Sequence, residues 1–456
     1  MLECVAAATI GGKPSMNIHL VGHACIVVET LGTSILMDPW LSGKIFNDSW
    51  TLRPEPKFDP SLLNDIDYLW ISHEHPDHCH FPTLDSFPAS FKQRVTVLFQ
   101  ERDHPKIVAA LTNLGYQHFR LLPHRVIVPL ATPSGHLSGA KVYCYHAGLM
   151  DSALAVIDDR SVLLNANDVR ISIPECRLIL RDLGHVNVLM SQFSLAAYGG
   201  FDPPQHHLSA RARDILRRLS SVHRALEAIT TIPFASFMYF STEDNKYVNS
   251  FANTVQDVYD SLVGQGQDCI VLYPGESHRV GLPHDSSQAL RRYKALPDLK
   301  ELPYDPVASK ALGEIFDAYR GLIKQLSERY PKALLSLLGP ITVHIPDLNK
   351  TVRFRFYTGV IEEISTTAVT DLVINSQPLW FGFRFSFGIQ TLGVSARFKL
   401  LRHYRTWKLH RALLSLNNGG VYLKPKYLFS TEFMAYLRTR MSGGLTQAFH
   451  YYRTSL

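Results

Sequence analysis

The chain has few cysteines and they are scattered. Six in 456 residues (Cys4, Cys25, Cys79, Cys144, Cys176 and Cys269), with no CxxC pair, exclude a disulfide scaffold. Thiols kept reduced fit a soluble cytoplasmic protein, which is the expected location. No apolar run is long enough to span a bilayer, and the nearest, LWFGFRFSFGI from Leu379, is broken by Arg384. The N-terminus, MLECVAAATIGGKPS, lacks the basic start and apolar length of a signal peptide, so no leader is expected. Neither GxGxxG nor GxxxxGK[ST] occurs, and Gly275-Glu276-Ser277-His278-Arg279 lacks the second glycine of a nucleophile elbow. No nucleic-acid module is legible, so no nucleic-acid partner is expected. Low-complexity tracts are missing too. With 46% hydrophobic, 11% aromatic and 19% charged residues, the chain is neither disordered nor fibrous and can bury a large core.

What charge there is lies unevenly. The formal net charge is +6, yet residues 397–456 carry eleven Lys/Arg against Glu432 alone, leaving the rest of the chain acidic. Such a tail suits an acidic partner, an anionic substrate, a membrane surface or a dimer face.

Residues 17–40 read as two strands, rich in β-branched residues and joined at Gly32. Further strands are expected at 141–145, 153–157, 161–165, 186–190, 234–240 and 269–273. Helices are expected at 105–115 and 209–229, the second capped by Ser209 with Ile215, Leu219, Val222 and Ile229 in its apolar stripe. Strands leading, with helices between and after them, imply helices covering stacked sheets. From about residue 285 amphipathic helices dominate, followed by alternating segments such as 351–357, where Val352, Phe354 and Phe356 share one face. A domain boundary is placed there.

The sharpest signal is His73-Glu74-His75-Pro76-Asp77-His78, an HxHxDH run after the apolar strand IDYLWIS. Three imidazoles and a carboxylate are too many for one ion. In an irregular loop His73 and His75 can reach one point, and Asp77 and His78 another, which suits a two-metal site. His146, after the KVYCY strand, completes the first set. Asp168, after the 161–165 strand, reaches both ions, with Asn165 and Asn167 beside it to orient it. The second set needs one more ligand. Glu243, ending the FASFMYF strand, is the candidate, with His206, His207 and His278 as rivals. Asp77 and Asp168 are the candidate catalytic residues.

GHACIVVET, ILMDPW, WISHEHPDH and LLNAND resemble the metallo-β-lactamase fold superfamily over roughly residues 17–280. Gly22-His23 and Asp38 match its opening strands, and HxHxDH matches its metal motif. The resemblance implies an α/β chain, a four-layer αββα sandwich with an α+β C-terminal extension. Residues 1–285 would form the catalytic domain with a dinuclear centre. Residues 286–456 would form a basic α+β domain contacting substrate, partner or a second subunit.

More narrowly, MDPWLSG, HFPTL, DSALAVID, LLNAND and PFASFMYF are similar to the branch containing the CMP-N-acetylneuraminate hydroxylases, and LGVSARF suggests a similar tail. That branch implies iron-dependent hydroxylation. Its members carry a Rieske cluster, which needs a CxH and a CxxH pair. Here Cys144–His146 is the one CxH, and there is no CxxH. The resemblance therefore implies a separate electron-transfer protein, docking on the basic C-terminal region. The superfamily also holds a stand-alone di-iron β-hydroxylase type, so the fold can run oxygen chemistry without a built-in cluster.

Two functions follow. In the first, two irons and O2 oxidise a small organic substrate, a reading favoured by the carboxylate-rich ligand set. In the second, two zinc ions activate water against a lactone, amide or phosphodiester. Manganese is the third metal compatible with the set. A carboxylate at 243 points to iron, whereas a histidine at 206, 207 or 278 points to zinc.

Overall fold

The computed structural model describes residues 16–101, 106–131, 135–148, 150–198, 200–201, 204–402, 404–430 and 433–434. Two seven-stranded sheets lie face to face. The first runs, edge to edge, Ser277–Arg279, Met16–Leu20, Ile26–Thr30, Thr33–Met37, Tyr68–Trp70, Thr96–Gln100 and His118–Leu122. The second runs Asp268–Cys269, Thr230–Phe234, Val188–Gln192, Val162–Asn167, Asp151–Ile157, Leu137–Ala147 and Ile127–Ala131.

Period-two patterning sets the faces. Met16, Ile18 and Leu20 turn inward from the first strand and meet Val142, Leu154 and Leu163 of the opposing sheet in one core. Each such side chain, fully buried, contributes about 1.5–3 kcal/mol. The outer face of the first sheet is covered by helices Phe81–Ser86, Ala89–Arg94 and Lys106–Asn113 through Leu84, Phe91 and Leu111. Helices Ile173–Leu183, Pro204–Ala225 and Val255–Val263 supply Ile179, Leu219 and Val258 to the other side. The sandwich is thus four layers deep, αββα, as the motif resemblance implies.

The helix Ile173–Leu183 was not among the expected elements, although its start is well specified. Ser172 and Glu175 form a reciprocal capping box, and Gly184 ends the helix at φ +79°. The expected helix at 209–229 instead begins at Pro204 and ends at Ala225. Ser209 therefore lies inside it, and Ile229 is exposed just beyond its end.

Ala289 and Tyr293 of helix Ser287–Lys294 still pack on the sandwich core. A separate core begins with helix Leu312–Arg329, whose Tyr319 and Leu322 pack over a five-stranded sheet ordered Ile361–Ile364, Lys350–Phe354, Ile341–Ile345, Leu372–Ile374 and Phe398–Leu400. Val352, Phe354 and Phe356 share that core, as their spacing predicts. Among the described residues no helix is long and apolar enough to cross a membrane. Part of the basic tail, including Arg438, Arg440 and Arg453, lies outside the described residues, as does Cys4.

The seam between the two cores is polar and specific. Asp244 accepts hydrogen bonds from Arg397 Nε at 3.0 and 3.1 Å and from Asn375 at 3.2 Å, with Arg397 only 4% exposed. Asn245 donates to the carbonyls of Ser49 and Ser395. Asn47 and Gln377 exchange amide hydrogen bonds at 3.0 and 2.7 Å.

Candidate metal centre

The HxHxDH loop leaves the sandwich at the end of strand Tyr68–Trp70, and Asp38, ending the adjacent parallel strand, braces it. Asp38 is wholly buried with a left-handed backbone at φ +43°. Its carboxylate accepts from Ser72 N (2.8 Å), Ser72 Oγ (2.7 Å) and His78 Nδ1 (2.8 Å). With its proton given to Asp38, Ser72 Oγ is left to accept from His73 Nδ1 at 3.0 Å. This network assigns the Nδ1–H tautomer to both His73 and His78, so each turns a bare Nε2 towards the site.

Seven side chains converge there. His73, His75 and Asp151 bring ligand atoms within 4.8 Å of one another, as do His73, His78 and Asp168, and again His23, Asp77 and His78. His73 Nε2 lies 2.8 Å from His75 Nδ1. His78 Nε2 lies 3.3 Å from Asp77 and 3.6 Å from Asp168, and His73 Nε2 lies 3.8 Å from Asp168. His23 Nε2 is 3.6 Å from Asp77.

Several of these atoms are buried without a hydrogen-bond partner: His78 Nε2, Asp77 Oδ1 and Asp168 Oδ1. Leaving one such atom bare costs about 1–3 kcal/mol, and an ionised one more. Converging bare acceptors are what a cation satisfies, so the donor set fits metal ions.

Electrostatics point the same way. Burial raises the Asp77 carboxyl, but His78 and His23 outweigh it and hold the pKa well below the ordinary range. Burial likewise opposes ionisation of Asp168, yet His73 and His78 leave it lowered. Burial pulls His78 towards neutrality, and Asp77, Asp168 and Asp38 together raise it well above its usual value. The surrounding carboxylates thus favour a cation beside His78, whether a proton or a metal ion.

Local backbone geometry aims these groups. His23 sits in a tight turn where Val21 N bonds Cys25 O, and its carbonyl accepts from Ala235 N across the sandwich. Gly22 beside it has no room for a side chain, since a Cβ would come 2.8 Å from Pro56. Asn165 accepts from Asn167 N, and Asn167 accepts from Asp168 N at 2.6 Å and donates to Ser152 O. These asparagines fix the backbone under Asp168 rather than touch its carboxylate. An aromatic wall flanks the cluster: Trp40 and Trp50 have ring centres 5.4 and 6.3 Å from His23, and Phe46 lies 6.3 Å from His75.

The structure brings His73, His75, Asp77, His78 and Asp168 together, but neither His146 nor Glu243 joins them. His146 pairs in register with Ser152, and its Nε2 meets Leu122 O at 2.9 Å. Asp151, opposite Ala147 in the same hairpin, takes the place expected of it. Glu243 is exposed and paired with Lys246, because its loop is committed to the interdomain seam. Among the rivals, His206 and His207 lie on the helix Pro204–Ala225, and His278 is on the edge strand near His284. His23 completes the third group instead. Sequence reasoning noted His23 only as a match to opening strands and missed Asp151.

Residues 17–129 match the model of the β-lactamase superfamily domain. A Mycobacterium tuberculosis protein bearing the name of a Rieske 2Fe-2S iron–sulfur protein is 23% identical over 442 residues, spanning 85% of this chain and 82% of its own length. The CMP-N-acetylneuraminic acid hydroxylase of Danio rerio is 38% identical over 70 residues, 15% of this chain and 12% of that protein. Among solved structures, the diiron β-hydroxylase CmlA from Streptomyces venezuelae aligns over 59% of this chain and 55% of its own, at 18% identity and a TM-score of 0.39. The chain resembles the metallo-β-lactamase superfamily and, over short stretches, the hydroxylases.

Proposed function

We propose that the protein is a metal-dependent oxygenase, acting on a small organic substrate with O2 and electrons from a separate donor protein. The observation that carries this reading is the convergent set of four imidazoles and three carboxylates, several of their acceptor atoms buried and bare. His73, His75 and Asp151 would hold one ion and His23, Asp77 and His78 the other, with Asp168 facing His73 and His78 between them. Three carboxylates among seven donors suit hard, redox-active iron. When bound, iron supplies the electron-transfer and O2 chemistry that no side chain offers.

The chain's own residues prepare that chemistry. Asp38 and Ser72 hold the Nδ1 protons of His78 and His73, fixing both rings for ligation through Nε2. Trp40, Trp50 and Phe46 shield His23 and His75 from water. Cys144 is buried in the sandwich core and His146 is turned to Leu122, so the single CxH pair is no Rieske half-site. An external donor is therefore part of the proposal, supported by the Rieske and hydroxylase names of the relatives. Its landing surface would be the basic C-terminal region. The division near residue 285, with 286–456 as the contact domain, belongs to the same proposal.

The imidazole count supports a second reading. Four histidines also suit zinc, and a dinuclear zinc centre would hydrolyse a lactone, amide or phosphodiester. Metal analysis with an optical spectrum on protein purified without added metal separates the two. About two irons per chain with near-ultraviolet ferric absorption supports the oxygenase. Two zincs and a colourless protein overturns it in favour of the hydrolase.

A further inference from the structure

The hairpin joining strands Lys44–Ile45 and Trp50–Leu52 links the metal loop to the C-terminal core. Its turn bends in the disfavoured sense: Phe46, Asn47 and Asp48 hold φ angles of +52°, +60° and +59° with no glycine among them. Successive non-glycine residues in the left-handed region persist only where contacts from outside fix them. At Asn47 the long-range contacts come from the C-terminal core. Gln377, on helix Ser376–Arg384, exchanges amide hydrogen bonds with the Asn47 side chain. Arg397 Nη1 donates to the Asn47 carbonyl at 3.0 Å and to Gln377 Oε1 at 3.1 Å. The sandwich adds Ser241 Oγ to the carbonyl of Asp48 at 3.2 Å and Ser241 N to that of Ser49 at 2.9 Å.

The same turn carries the aromatic wall of the His–Asp cluster. The Phe46 ring centre lies 6.3 Å from that of His75 and 4.7 Å from that of Trp50, edge to face in both cases. Trp50 in turn lies 6.3 Å from His23 and 5.8 Å from Phe240. Within the cluster His23, His73, Asp77 and His78 are buried, whereas His75, Asp151 and Asp168 are partly exposed. Solvent therefore reaches the cluster on the side of His75, where the buried Phe46 stands. Relaxing φ at residue 46 to a negative value would swing its side chain relative to the hairpin and away from His75. Among the described residues the C-terminal core supplies no member of the cluster, yet it fastens the turn that presents Phe46.

We propose that Gln377, braced by Arg397, is a positioning residue for the cluster. It locks the left-handed turn at Asn47 and sets Phe46 against His75, so that the C-terminal core fixes how open the approach to the cluster is. The positioning role stands on the hydrogen bonds and ring contacts. Its meaning for the reaction, control over which substrates reach the ions, rests on the proposed oxygenase centre.

The test is the rate at which diethyl pyrocarbonate modifies His75, followed by peptide mass mapping on the full chain after chelation, so that no ion covers the ring. Phe46→Ala removes the shield and should speed modification by about twofold or more. Gln377→Ala should act in the same direction. The double variant should be no faster than Phe46→Ala alone, because both changes act on one contact. Asn47→Gly reaches that contact from the other side: glycine keeps the left-handed backbone and loses the amide, so it should match Gln377→Ala. Tyr330→Phe loses a hydrogen bond to the Val421 carbonyl inside the C-terminal core and should react like the parent. Melting curves check that each variant is folded at the assay temperature. Gln377→Ala and Asn47→Gly at the parent rate, or effects that multiply in the double variant, overturn the positioning role. Tyr330→Phe as fast as Gln377→Ala overturns it too, since general loosening of the core would then suffice. Metal content is measured alongside. A parent that takes up no ions overturns the oxygenase reading, whereas the His75 rates decide the positioning role in either case.

Discussion

Two polar loops leave strands in this fold, and they use similar residues to opposite ends. Residues 72–78 gather His73, His75, Asp77 and His78, with Asp77 Oδ1 and His78 Nε2 buried and unpartnered. Residues 241–245 gather Thr242, Glu243, Asp244 and Asn245, where each buried polar group has a partner: Thr242 bonds Asp244, Asp244 bonds Arg397, and Asn245 bonds Ser49 and Ser395. A saturated network fixes a shape. An unsaturated one, at a cost in stability, advertises something absent. The contrast separates chemistry from architecture where residue types alone do not.

Breaking the first loop should have the largest effect. His78 belongs to two of the three ligand groups, so His78→Ala should take metal from about two ions per chain to below about one, read by elemental analysis. Two ions retained would end the ligand assignment. Breaking the second should cost stability instead. Asp244→Ala leaves Arg397 buried without its carboxylate and should lower unfolding free energy by about 3–5 kcal/mol in a denaturant titration, with metal content unchanged. Loss of metal there would erase the distinction between the loops. Asp38→Asn is gentler. The amide cannot accept at both oxygens, the His78 ring loses its fixed tautomer, and metal affinity should fall by about 10–100-fold in a chelator competition. The smallest effects are expected of Glu243→Ala and His146→Ala, which should leave metal content as it was. The exposed Glu243–Lys246 pair is worth roughly 0–1 kcal/mol. A lost ion in either variant would restore the sequence-based ligand set.

Much of this was legible in advance. Alternation in 17–40 and in 153–165 specifies strands, and a strand delivering HxHxDH specifies a loop where His73, His75, Asp77 and His78 come together. The members of the cluster that escaped are those whose contribution exists only after the sheets stack. His23 lies about fifty residues before the motif, in a turn whose neighbour across the sandwich is Ala235. Asp151 is separated from His146 by a hairpin turn, and the register decides which of the two reaches the site. An imidazole after a strand looks like the better ligand, but only the backbone at Leu122 reveals that it is occupied. Glu243 lies outside the cluster for a related reason. A carboxylate ending a strand serves a metal or a seam equally well, and the seam partner, Arg397, is more than 150 residues away in sequence.

The brace at Asp38 bears on how the centre is filled. Its three hydrogen bonds join two strands and the first turn of the motif loop, and none of them includes an ion. The cage is thus expected to form on folding without metal, unlike small zinc modules whose fold appears only with it. Stripping the ions should leave the scaffold standing, so loading becomes an exchange reaction between a finished receptor and the surrounding ion pool. Which metal occupies it then depends on supply and rates of release as well as on ligand chemistry.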